Sequence, residues 1–154
     1  MKKSKVNFRK TTLASMLFVL MTLVATAFVA CSSDDDAQPS GGMDIATGTF
    51  KGKITVYPPQ SQSIEYFDAE VTVAKVSDKQ LKVTPKSGQP YSIATAKTFQ
   101  VEYSSAGTDL QTVTAVAGSP EGLFLYNQQN KSLNLITEEQ SASEVAFAFE
   151  GTKQ

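Results

Sequence analysis

The chain has 154 residues, enough for one ordinary domain behind a processed N-terminus. Histidine and tryptophan are absent, and one cysteine, Cys31, excludes an intrachain disulfide and all but excludes a thiolate- or imidazole-bound metal. The net charge of −1 hides an asymmetry: residues 1–30 hold five basic residues and no acid, whereas the rest sets nine lysines against 15 acids, a balance ill-suited to nucleic acid.

Residues 2–10 are basic, and Leu13 to Ala30 is apolar and uncharged, broken only by Ser15, Thr22 and Thr26. This is the pattern of a secretory signal, although the stretch is also long enough to cross a bilayer as a retained anchor. The end of the run favours cleavage: Val29-Ala30-Cys31 gives way to Ser32-Ser33-Asp34-Asp35-Asp36. Small Ala30 suits a peptidase, and an acidic tract beside Cys31 cannot be core.

Those residues resemble the lipobox of bacterial lipoproteins, with phenylalanine at Phe28 where leucine is usual. The resemblance implies cleavage before Cys31, lipid attachment on it and an outer-membrane, cell-surface location, with a periplasm-facing one as the other option. Acyl chains contribute about 0.8 kcal/mol per buried methylene, so two or three anchor a protein stably. The triple aspartate also resembles the export signal of surface lipoproteins in the Bacteroidetes; its alternative reading is a solvated acidic tether. A weak calcium site there lacks a preformed cage.

Residues 31–43 contain Pro39, Gly41 and Gly42 and read as a flexible acidic linker, about 40 Å long when extended. The domain is placed at 44–154. No helix is expected in it, because apolar residues recur with period two. Phe50, Ile54 and Val56 share a face until Pro58-Pro59. Phe67, Val71 and Val73 continue the pattern in a second strand, in which Ile64 and Tyr66 have the opposite phase, so a bulge is expected near Tyr66-Phe67. A turn at 77–80 leads to Leu81 and Val83, and 86–90 turns again. Tyr91, Ile93, Phe99, Val101 and Tyr103 keep one phase, broken at Lys97, and read as one long strand. Strands at 110–117, 123–127, around Leu133 and Leu135, and from Val145 through Phe147 to Phe149 complete the chain.

That makes eight strands, or nine if 91–103 divides. Short connections impose antiparallel neighbours, and a closed up-and-down sheet needs an even number. The expected fold is therefore all-β, a single antiparallel barrel of about eight strands, with an open sandwich as the rival. Gly48, Phe50 and Gly52, together with Phe149, Gly151 and Lys153, resemble the first- and last-strand motifs of lipocalins and other calycins. This likeness implies a calycin-like barrel, although phenylalanine replaces tryptophan and no arginine is available to pack over it.

The inward set of Phe50, Ile54, Val56, Phe67, Val71, Val73, Ile93, Phe99, Val101, Leu133, Leu135, Val145, Phe147 and Phe149 is bulky, and a filled interior is expected. No nucleophile–histidine pair, phosphate loop or convincing carboxylate pair exists. Asp68 with Glu70 and Glu138 with Glu139 read as solvated groups. No enzyme activity, cofactor or metal is expected. Two functions survive: a cell-surface module binding a small molecule or glycan, and a structural subunit docking on an outer-membrane protein complex. An aromatic mouth favours the first and an apolar outer wall the second. Tracing the meander places Tyr57, Tyr66 and Tyr91 at the end of the barrel away from the tether. There the rings form a candidate ligand rim, or else they close the core with their hydroxyls in water.

Overall fold

The computed structural model describes residues 42–106 and 110–154. The signal segment, Cys31 and the linker up to residue 41 lie outside the described residues. Eight strands form a closed antiparallel barrel in which each pairs with its neighbours in chain order and the last closes on the first. They are β1 Gly48–Tyr57, β2 Ile64–Ser77, β3 Gln80–Pro85, β4 Lys97–Ala106, β5 Leu110–Ala115, β6 Gly122–Asn127, β7 Ser132–Thr137 and β8 Ala146–Lys153. Here the "near end" is where the chain enters β1; the "far end" holds the β1–β2, β3–β4, β5–β6 and β7–β8 connections.

Alternation builds the wall. In β7, Leu133, Leu135 and Thr137 are buried while Asn134 and Ile136 are exposed. The interior is filled: Phe50 on β1 meets Tyr126 on β6 edge-to-face with ring centroids 5.7 Å apart, and Phe99 on β4 meets Phe124 on β6 at 5.5 Å. None of these strands is the other's neighbour, so both ring pairs span the interior. Phe50, Tyr126, Phe99 and Phe147 have at most traces of surface in water.

The seam between β1 and β8 is close. Gly52 lies opposite Gly151, and a Cβ on Gly52 would stand 2.1 Å from the Glu150 carbonyl oxygen. Two glycines facing each other let the backbones approach at this point. The register between β1 and β2 shifts here too: Gly52 pairs with Ala69 but Ile54 pairs with Tyr66. The extra residue on β2 is the bulge expected from sequence, with Asp68 in the left-handed region at φ 56°.

That bulge corrects one assignment. Phe67 lies within it and is 73% exposed, while Tyr66 turns toward the core. A second correction concerns 91–103, which is not one strand. Pro90–Ile93 is a 3₁₀ turn, β4 begins only at Lys97, and Ile93 is exposed. Pro90 sets φ for the start of such a turn, and the period-two spacing of Tyr91 and Ile93 is coincidental. The strand count remains eight. A second unexpected 3₁₀ turn, Met43–Ala46, caps the near end with Ile45 and Ala46 buried.

Candidate functional site

The far end is closed by packing and pairing. Tyr91 is buried and its hydroxyl accepts a hydrogen bond from the Glu70 backbone N–H at 3.0 Å. Tyr66 packs against it with ring centroids 5.8 Å apart. Thr95 exchanges hydrogen bonds with Val145, its N–H donating to the Val145 carbonyl and its Oγ1 accepting from the Val145 N–H. Lys97, inward and buried, meets Glu144 at 2.5 Å. The Lys97 ammonium, with a further hydrogen bond from the Gln140 N–H, holds the Glu144 carboxyl below its usual range. Beside this closure Thr137 Oγ1 donates to the Phe147 carbonyl and accepts from the Phe147 N–H, tying β7 to β8.

The structure therefore brings two of the three tyrosines together, Tyr66 and Tyr91, as part of the plug. Tyr57 stands apart from them on the outer wall, 41% exposed. It borders a groove of about 560 Å³ that crosses the outer faces of β2, β1, β8, β7 and β6.

Register explains why a convex wall has a groove. Leu123 pairs with Ile136, Ile136 with Ala148, Ala148 with Thr55, and Thr55 with Glu65. The middle of this row is short, so Ala148 and Thr55 form a floor. Leu123 and Leu125 stand on one side; Tyr57, Lys53 and Glu65 stand on the other. Leu123 is 67% exposed, and Leu125 and Ile136 are a little under half exposed. Lys53 and Glu65 form an ion pair at 3.3 Å on the rim, and Asn134 and Glu150 supply an amide and a carboxylate. The volume lies within the range of small-molecule sites, and the apolar lining with a few polar groups is the usual composition of such a site. Sequence reasoning singles out Tyr57 but misses the leucines, whose proximity to it depends on the barrel closing so that only β7 and β8 lie between β6 and β1.

The carboxylates considered for catalysis are separately engaged: Asp68 pairs with Lys51 at 3.3 Å and Glu70 with Lys86 at 3.0 Å. Glu138 and Glu139 are exposed. No group of three or more histidine, cysteine, aspartate or glutamate side chains placed to hold a metal occurs among the described residues.

No protein-family model, curated protein or solved structure matches the chain. The closed eight-stranded antiparallel barrel is consistent with the calycin-like fold suggested by the glycine and aromatic motifs of β1 and β8.

Proposed function

We propose that this chain is a lipid-anchored, non-catalytic binding module of the cell surface, held on the outer membrane through Cys31. Its small amphipathic ligand or glycan sits in the outer-wall groove. The observation that carries the binding reading is that groove: a floor of Thr55 and Ala148 between the leucines and the Tyr57 ring. Tyrosine offers an apolar face with a hydroxyl handle, and Asn134 and Glu150 can hydrogen-bond hydroxyl groups. The filled interior and the plugged far end direct a ligand to the outside of the barrel. Support for the anchor comes from the basic segment, the apolar run and the Val29-Ala30-Cys31 motif.

Calorimetric screening of glycans and small amphipathic compounds against the full chain tests the site. Tyr57→Ala weakens the ligand found by about tenfold or more, comparable to losing the burial of one large side chain. Ala148→Leu fills the floor and abolishes binding. A ligand indifferent to both variants does not use the groove.

The second reading, docking on an outer-membrane protein complex, is favoured by one observation: Leu123, Leu125 and Ile136 are adjacent, apolar and exposed. The variants separate the two readings, because a protein partner seated on that ridge is lost with Leu123→Glu and keeps binding when only the Ala148 floor is filled.

The anchor has its own test. Metabolic labelling with a fatty-acid analogue marks the wild-type chain and not Cys31→Ala; equal labelling of the two removes lipidation from the proposal.

A further inference from the structure

A second concavity, of about 220 Å³, lies at the near end and shares no lining residue with the outer-wall groove. Its lining is Ile45, Tyr126, Gln128, Lys131, Lys153 and Gln154, with no acidic side chain among them. Of nine lysines, Lys51, Lys53, Lys75, Lys86 and Lys97 form ion pairs with carboxylates. Lys79, Lys82, Lys131 and Lys153 have no such partner among the described residues, and of these four Lys131 and Lys153 line one pocket of an otherwise acidic domain.

Backbone geometry brings them together. Lys131 ends the β6–β7 turn at φ 53°, and its carbonyl accepts the Lys153 N–H at 2.9 Å. The Lys153 ammonium donates to the Ile45 carbonyl at 3.1 Å, so it lies across the 3₁₀ turn and has further protons to give. Burial, and secondarily the charge of Lys131, push the Lys153 amine below its usual range. The exposed Lys131 side chain and the Lys153 ammonium line the same pocket with no acidic side chain beside them, so their charges repel, and a divalent oxyanion between them relieves that repulsion.

We propose that this pocket binds a phosphoryl group, with Lys131 and Lys153 as its cationic contacts. The Tyr126 hydroxyl donates to Gln128 Oε1 at 2.7 Å, which leaves the Gln128 side-chain NH2 at the border of the site as a further donor. One ligand chemistry has two sources here: a soluble phosphorylated compound, or a phospholipid headgroup reached from the end at which the chain enters the barrel.

The full chain in an uncharged detergent is titrated calorimetrically with inorganic phosphate, and in parallel with the same micelles doped with phosphatidylglycerol, at matched ionic strength. Saturable binding of at least one probe is expected. Lys131→Gln weakens it about tenfold, the loss of one charged hydrogen bond, while Lys82→Gln, at an exposed lysine outside the pocket, leaves it unchanged. Lys153→Gln also loses the bond to Ile45, so Lys131→Gln is the decisive variant. Binding of phosphate alone assigns a soluble ligand; binding of the doped micelles alone assigns a headgroup. Absence of saturable binding of both probes overturns the proposal. So does equal loss in Lys131→Gln and Lys82→Gln, which would mark a general charge effect.

Discussion

Replacing Phe147 with alanine lowers the unfolding free energy by about 3–5 kcal/mol, measured by chemical denaturation. Domains of this kind are stable by about 5–15 kcal/mol, so the change removes a large part of the total. The size of the effect comes from position. Phe147 is fully buried, opposite Val56 on β1, and its backbone carries both hydrogen bonds to the Thr137 side chain. The ring fills the interior where β7 and β8 separate, and the packed neighbours leave little freedom to collapse into the space. A loss below about 1 kcal/mol would place this ring outside the core and reverse the face assignment of β8.

Gly52→Ala adds a single methyl group and costs about 3 kcal/mol by the same measurement. The added carbon would stand 2.1 Å from the Glu150 carbonyl oxygen and 2.4 Å from the Gly151 Cα. Both obstacles are backbone, so the strands must part at the seam, and the hydrogen bonds between β1 and β8 suffer with them. Gly88→Ala is the control. Its Cβ meets nothing within 4 Å, and the substitution carries only the cost of a left-handed backbone, about 1 kcal/mol. Equal effects at the two positions would mean that the seam opens easily.

The barrel is legible in the chain because most strands keep strict alternation and connections are short, which leaves antiparallel neighbours and an even count. Alternation misleads where another structure borrows it. Phe67 keeps the period of Ala69, Val71 and Val73 while lying within a bulge that turns it outward. Ile93 keeps the period of Phe99 while belonging to a 3₁₀ turn. Lys97 breaks the apolar pattern and yet is inward, because Glu144, 47 residues away, compensates its charge. The tyrosines can be assigned to an end of the barrel by counting connections. Their separation into an inward pair, Tyr66 with Tyr91, and an outward ring, Tyr57, depends on the bulge and the 3₁₀ turn. The groove and the lysine pocket are not legible, because each joins residues from both ends of the domain. Thr55 reaches Ala148, and Lys153 reaches Ile45, only when the ring closes.

Pairing of β1 with β8 also sets the timing of folding. The strand that leaves the ribosome first among the eight finds its second neighbour only when the last has been synthesised, about a hundred residues later. Until then β1 and β7 each present a free edge, and the cross-barrel contact of Phe50 with Tyr126 gains little from an open sheet. The barrel of this chain cannot close while it is being made. The export proposed from the N-terminal sequence would suit that order, with closure in one cooperative event after the last strand arrives.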